Sequence, residues 1–302
     1  MNKSGRAVEL TALVEQLAGF GYIADPGLAA ALLLMQDLGR PLLLEGDAGV
    51  GKTEVAKVLA QLRATRLIRL QCYEGLDAHA AMYEWNYQRQ LLAIKLLEQD
   101  DGAAPHDLAH REQDIFSERY LLKRPLLEAI SCAQPPVLLI DEVDRADEAF
   151  EAYLLELLSD FQLSIPELGT VQATSRPLVV ITSNGTRELS DALRRRCLYQ
   201  YIDYPDHAKE LEIVRKKAPA VADALARQIV AFVQSVRRME LQKKPGIAET
   251  LDWTAALLRL GISAIERDGA ERILETLGAL IKTRDDRAAF PREAVARLAA
   301  AC

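Results

Sequence analysis

The sequence predicts an α/β fold, a five-stranded parallel sheet covered by helices, followed by an all-helical domain. Three observations predict it. Five short, β-rich apolar runs stand out, at Leu42 to Leu44, Leu67 to Leu70, Val137 to Ile140, Leu178 to Thr182 and Tyr199 to Ile202. Runs this continuous, with little polar alternation, suit strands buried on both faces. Longer stretches of helical spacing separate them, and after Tyr204-Pro205-Asp206 only helical spacing continues. The expected division is an α/β domain over 1–205 and a helical domain over 206–302. A chain of 302 residues has room for two domains at about 150 residues each.

Taken in order, Val8, Leu10, Leu13, Val14 and Leu17 recur with amphipathic spacing and form no continuous apolar export signal. The longest apolar stretch, Gly27 to Met35, is far short of the roughly 20 residues a membrane span needs, so no membrane span is expected. Gln88 to Leu97 reads as a helix, broken by the polar stretch Glu98 to Pro105, which reads as a surface loop. In the second half, Leu225, Ile229, Phe232, Val233, Val236 and Met239 share one helical face. So do Trp253, Leu257 and Leu260, and then Ile273, Leu277, Leu280 and Ile281. Pro219 and Lys244-Pro245-Gly246 punctuate these helices as turns.

Composition excludes several function classes. Lys and Arg total 37 against 44 Asp and Glu, a formal charge of −7, which argues against affinity built on phosphate-backbone neutralisation; no nucleic acid is expected as partner. Cys72, Cys132, Cys197 and Cys302 are scattered without C-x-x-C spacing, so neither a disulfide framework nor a zinc site is indicated, and reduced thiols fit a cytoplasmic protein. His106 and His110, at i and i+4, could present two imidazoles on one helical face, but no third ligand accompanies them; they read as a solvated face.

The chemistry concentrates after the first strand. Gly46-Asp47-Ala48-Gly49-Val50-Gly51-Lys52-Thr53 follows Leu42 to Leu44 and leads into a helix beginning near Glu54. The G-x-x-x-x-G-K-[ST] pattern between strand and helix is that of a phosphate loop. Its glycines let backbone N–H groups turn inward on a triphosphate at the positive end of the helix. Lys52 would neutralise β/γ-phosphate charge and Thr53 would hold Mg²⁺ through its hydroxyl. A nucleoside triphosphate with Mg²⁺ is therefore the expected cofactor pair.

Two further strands end in polar groups. Val137 to Ile140 runs into Asp141-Glu142, as a buried strand does when its carboxyl end opens into a site. Asp141 would hold Mg²⁺ through its water shell, and Glu142 would polarise an attacking water. The plain alternative is a core strand followed by solvated acids, Asp144 and Asp147 among them. Leu178 to Thr182 ends in Ser183-Asn184, where Asn184 could bond both water and γ-phosphate, or could simply open an Asn-Gly turn. Arg194-Arg195-Arg196 precede the fifth strand. A guanidinium there could meet transition-state charge in a neighbouring subunit, or be a solvated basic turn.

The order of these motifs resembles the AAA+ ATPases, and within them the MoxR branch. The resemblance implies a P-loop core with a helical lid, nucleotide at subunit interfaces, and self-assembly into rings, commonly hexamers. By position, Gly46 to Thr53 is Walker A, Asp141 and Glu142 are Walker B, Asn184 is sensor 1, and Arg196 is the arginine finger with Arg195 second, although Cys197 follows where relatives often carry phenylalanine. Gly21-Tyr22-Ile23 resembles the segment that packs on the adenine, and Glu54 follows the loop into its helix. A helix insert at about 72–90 and a hairpin at about 161–177 fit the MoxR branch and would face the ring pore or a partner. Trp85 and Tyr87 in the insert read as partial core or as a partner patch. Tyr73-Glu74-Gly75 and Tyr83-Glu84-Trp85-Asn86 most resemble CoxD-type proteins that mature molybdenum-containing carbon monoxide dehydrogenase. The implied function is a remodelling chaperone whose client is a molybdenum hydroxylase, working with a separate von Willebrand factor A domain protein. A rubisco-activase-like remodeller, a nucleic-acid motor and a slow nucleotide-gated module are the alternatives. One departure stands out: Gly246 to Trp253 holds no sensor 2 arginine, and Arg259 is a distant substitute.

Overall fold

The computed structural model describes residues 3–98, 114–266 and 269–302. The chain opens with helices α1 (Lys3–Gly19) and α2 (Pro26–Leu38), strand β1 (Leu42–Glu45), α3 (Lys52–Leu62) and β2 (Leu67–Gln71). There follow α4 (Ala78–Met82), β3 (Tyr83–Trp85), α5 (Tyr87–Glu98), β4 (Leu121–Lys123), α6 (Pro125–Ser131) and β5 (Val137–Asp141). Next come α7 (Glu148–Asp160), β6 (Gln162–Ile165), β7 (Gly169–Gln172), β8 (Leu178–Ser183), α8 (Asp191–Arg196) and β9 (Leu198–Tyr201). Helices α9 (His207–Lys217), α10 (Asp223–Arg237), α11 (Ile247–Arg259), α12 (Gly269–Thr276), α13 (Arg284–Ala288) and α14 (Arg292–Ala300) complete it. Glu98, the first residue of the expected loop, is instead the last of α5, and residues 99–105, with His106 and His110, fall outside the described residues. No helix among the described residues is long and apolar enough to cross a membrane.

Two compact units divide the chain. One is Met1–Ala29, Glu45–Val58 and Tyr201–Cys302; the other is Ala30–Leu44 and Leu59–Gln200. The α/β fold contains a five-stranded parallel sheet in the order β2-β5-β8-β1-β9. Central β5 pairs with β2 from Leu67↔Val137 to Gln71↔Asp141 and with β8 from Val137↔Leu178 to Ile140↔Ile181. Every residue of β5 is buried. The edge strands depart from the expectation of burial on both faces: Arg69 of β2 is exposed, and Tyr199 and Tyr201 of β9 are about half exposed. Successive side chains of a strand point to opposite faces, and on each of these two strands the residues of one face reach water.

In the second unit the core gathers Leu43, Leu70, Leu127, Ile140, Phe150 and Ile181 with their neighbours. Helix α7 starts on Asp147, whose side chain accepts the Phe150 N–H at 2.8 Å. It ends on Phe161 in the left-handed region, which turns the chain into an antiparallel hairpin of β6 and β7. Strands β3 and β4 form a second small ladder. Trp85 is buried there, edge-on to Phe116 at 5.3 Å, whereas Tyr87, Leu91 and Leu96 on α5 are exposed. Of the two insert aromatics, one is therefore core and the other is surface.

In the first unit, Leu225, Ile229, Phe232, Val233 and Val236 on α10 pack with Trp253, Leu257, Ile273, Leu277 and Leu280. Phe232 and Trp253 stack tilted at 4.8 Å, and the indole N–H donates to Thr276 Oγ1 at 2.7 Å. Leu260 was expected on this buried face but is 51% exposed. It lies past the last helical residue of α11, where the chain unwinds and the helical face is lost.

Candidate functional site

The loop of the phosphate-binding motif, Gly46 to Gly51, and the first turns of α3 lie in the first unit. Lys52 begins α3 and is buried, its ammonium donating to the carbonyls of Gly46 at 2.6 Å and Asp47 at 2.7 Å. Two of the loop glycines meet backbone that a side chain would strike. A Cβ on Gly46 would lie 2.1 Å from the Ile202 carbonyl oxygen. Gly49 has φ +80°, and a Cβ there would lie 3.1 Å from both Gly246 Cα and Glu249 Oε2. Contact between these two backbones is sealed by a hydrogen bond from Ile247 N–H to the Gly49 carbonyl at 2.9 Å.

The proposed adenine segment lies in the same unit. The Tyr22 ring reaches 4.0 Å from where a Gly51 Cβ would be. Burial, then the charges of Asp25 and Glu54, raise the Tyr22 phenol pKa. Lys209 pairs with Asp25 at 2.5 Å and Lys217 with Glu54 at 3.2 Å, so both ends of α9 are tied to this region. Burial alone would raise the Glu54 pKa, but Lys57 and Lys217 reverse the effect and the carboxyl is lowered. A cavity of about 560 Å³ opens beside Asp47 to Gly49, with Tyr204, Lys243, Lys244 and Lys282 on its wall.

The acidic end of β5 is built within the second unit. Asp141 is buried and held from two sides: Thr182 donates its hydroxyl to Oδ1 at 2.5 Å, and Arg69 gives Nε at 3.0 Å and Nη2 at 2.5 Å to Oδ2. Glu142 follows with φ 56° and ψ 50°. For a non-glycine residue that conformation costs on the order of 1 kcal/mol or more, and such residues cluster at functional sites. Thr182 Oγ1 also accepts the Glu142 N–H at 2.9 Å. One hydroxyl thus orients both acids. The Glu142 carboxylate meets Arg145 at 3.2 Å, a half-exposed pair that contributes little.

Of the two nearby acids, Asp147 is exposed, as the plain reading of the sequence expects, whereas Asp144 is buried. Asp147 caps α7, and buried Asp144 accepts the N–H of Asn184 at 3.2 Å and both the N–H and hydroxyl of Thr186, at 2.9 and 2.6 Å. Burial pushes the Asp144 carboxyl up, but these bonds outweigh it and hold the pKa below the ordinary value. A lowered folded pKa gives stability that is present above about pH 4 and lost as pH falls through the folded value. Asp144→Ala is therefore expected to cost about 1–3 kcal/mol at neutral pH. Its unfolding free energy should also fall less steeply on acidification, as urea titrations between pH 7 and 3 will measure.

Asn184 lies just past the end of β8, and its N–H is held by Asp144. Further on, Arg187 and the Ser190 N–H are held by buried Glu151 at 2.6 and 2.9 Å. That contact sets the start of α8, which carries the three arginines. Arg40 grips its last carbonyls, with 2.6 Å to Arg195 and 3.2 Å to Arg196, a cation at a helix C-terminus. Arg195 is 82% exposed and 3.7 Å from Asp191, whereas Arg196 rests on Ser159 Oγ.

Sequence reading missed Thr182, Arg69 and Asp144. Thr182 carried a faint signal as the first polar residue of an apolar strand; Arg69 carried none, because its partner is fixed by the β2–β5 register. Arg259 is the last residue of α11 and exposed, roughly 18 Å along the helix from Ile247 at 1.5 Å per residue, and does not share the end that meets Gly49. Among the described residues no cluster of three His, Cys, Asp or Glu side chains could cage a metal.

A five-stranded parallel sheet with a phosphate loop after β1 and paired acids after β5 defines a P-loop nucleotide-binding protein of the α/β class. The chain matches the AAA domain, dynein-related subfamily, over residues 41–197, more than half its length, and belongs to that family. A Staphylococcus haemolyticus protein of uncharacterized function is 25% identical over 252 residues, covering 80% of this chain and 86% of its own. An uncharacterized Staphylococcus aureus protein is 26% identical over 231 residues, covering 74% and 78%. Among solved structures, a mutant of Thermotoga maritima RuvB is similar at 20% identity with a TM-score of 0.48, covering 92% of this chain and 72% of the other.

Proposed function

We propose that this protein is a Mg-ATP-dependent remodelling ATPase of the MoxR type that works as a ring. The observation that carries the reading is the end of β5, where Thr182 fixes a buried Asp141 and, beside it, a Glu142 in a strained left-handed conformation. A protein that only held nucleotide would have no use for a second carboxylate stored at that cost. In this reading Gly46 to Gly51 wrap the phosphates, Lys52 neutralises them, Thr53 and Asp141 hold Mg²⁺, and Tyr22 and Ile23 face the base. Mg²⁺ supplies charge that offsets the β- and γ-phosphates. Glu142 takes the proton of the attacking water, Asn184 orients that water, and Arg196, or else Arg195, meets the developing charge from a neighbouring subunit.

The client follows from resemblance: the segments around Tyr73 and Trp85 favour maturation of a molybdenum hydroxylase, with a von Willebrand factor A domain protein as partner. The test is Mg²⁺-dependent ATP hydrolysis by the purified protein. Arg196→Ala is expected to slow turnover at least about tenfold. Mixing it with Lys52→Ala subunits should restore activity above either parent, because some interfaces then join an intact Lys52 to an intact Arg196. No restoration would place the arginine outside a shared site, and wild-type protein without hydrolysis would end the reading.

A further inference from the structure

The helical part of the first unit meets the phosphate loop at Gly246, Ile247 and Glu249 and holds it through a buried network. Glu210 on α9 and Arg237 on α10 are 0% and 7% exposed. Their bidentate pair measures 2.6 Å on both sides. The carboxylate also accepts Thr250 Oγ1 at 2.8 Å and Gln234 Nε2 at 2.7 Å. Four donors fill the acceptor sites of one ionised carboxylate, so the guanidinium is fixed in place.

From that anchor Arg237 reaches the phosphate loop by two routes. Its Nε donates to the Pro245 carbonyl at 2.7 Å, which holds the turn whose next residues, Gly246 and Ile247, touch and hydrogen-bond Gly49. Its guanidinium carbon lies 5.0 Å above the Tyr204 ring, and Tyr204 and Asp47 share the wall of the cavity beside the loop. The first route has a directional consequence. All peptide bonds described are trans, so the Gly49 carbonyl and the Val50 N–H lie in one plane and point in opposite directions. Holding the carbonyl on Ile247 therefore fixes where the Val50 N–H, a phosphate donor of the loop, is aimed.

We propose that Arg237, held by Glu210, is a positioning residue that sets the phosphate loop through Pro245–Gly246 and through Tyr204–Asp47. The proposal rests on the nucleotide-binding reading above. It assigns to a buried arginine on α10 the coupling for which an arginine on α11 was sought. A charge aimed at nucleotide would act on hydrolysis; a residue that pre-shapes the loop acts on binding.

The experiment is titration of the full chain with a fluorescent ATP analogue, alongside steady-state ATPase and thermal unfolding, for wild type, Lys52→Ala, Tyr204→Phe, Arg237→Lys and the double variant Tyr204→Phe/Arg237→Lys. Tyr204→Phe keeps the ring over the guanidinium and removes one hydroxyl, and is expected to weaken binding about fivefold. Arg237→Lys should weaken it about tenfold or more. KM should rise while kcat stays within about twofold, and the double variant should lose less than the product of the singles, because both act along one network. Equal binding by Tyr204→Phe and wild type, with Lys52→Ala defective, overturns the proposal alone. Affinity that merely tracks the unfolding temperature, with no coupling, overturns it as well. Wild type and Lys52→Ala binding alike would instead overturn the nucleotide-site reading itself. Should Arg237→Lys fail to fold, Tyr204→Phe still decides.

Discussion

Glu142→Gln is expected to abolish ATP turnover, by at least about a hundredfold, while nucleotide binding is retained. A positioned general base contributes about 10²–10⁴-fold, and glutamine keeps the size and hydrogen-bonding shape of the side chain but cannot take the proton. The backbone N–H of residue 142 would still donate to Thr182 Oγ1, so the strand end should keep its form. Steady-state phosphate release and equilibrium binding of a fluorescent ATP analogue, measured on the same preparation, check both halves of the expectation. Turnover at the wild-type rate would remove Glu142 from the mechanism. If the variant binds and does not release, it also becomes the reagent for capturing a client.

Glu210→Ala is expected to lower stability by about 3–5 kcal/mol. The substitution leaves the Arg237 guanidinium buried without its counter-charge and takes the acceptor away from Thr250 and Gln234 together. Urea unfolding gives the number directly. Replacing both members of the pair by apolar residues of similar size should be far milder, often neutral, because no lone charge is then left in the interior. The double replacement would still release Pro245 and Tyr204, so stability and nucleotide affinity should separate in it.

Much of the molecule is legible in the sequence where the signal is local. A phosphate loop is eight consecutive residues whose backbone must turn tightly between a strand and a helix. The residue types that allow the turn are therefore also contiguous, and Gly46 to Thr53 could be read without a fold. Central β5 was legible for a related reason: a strand covered on both faces has no polar residue until it leaves the sheet, so Asp141 marks its end. The same rule misled at β2 and β9. Whether a strand is central or an edge depends on the order β2-β5-β8-β1-β9, and nothing along a single run encodes its neighbours. Leu260 was misplaced because helical spacing continues in sequence after the hydrogen bonding of α11 has stopped.

The sequence by itself determined the fold class, the phosphate loop and the two acids at the strand end, since each is written in a short stretch whose local geometry demands particular residues. Only the tertiary structure decided which partners those residues have. Arg69 meets Asp141 across 72 positions, Thr182 meets it across 41, and Arg237 meets Glu210 across 27. Such pairs follow from strand register and helix packing, in which a shift of one residue would turn a side chain to the opposite face. Asp144, which reads as one more solvated acid, became the post that holds Asn184 and Thr186. Burial without a partner would have been costly for Asp141, Asp144, Thr182, Glu210 and Arg237, and it is the fold that brings each its partner.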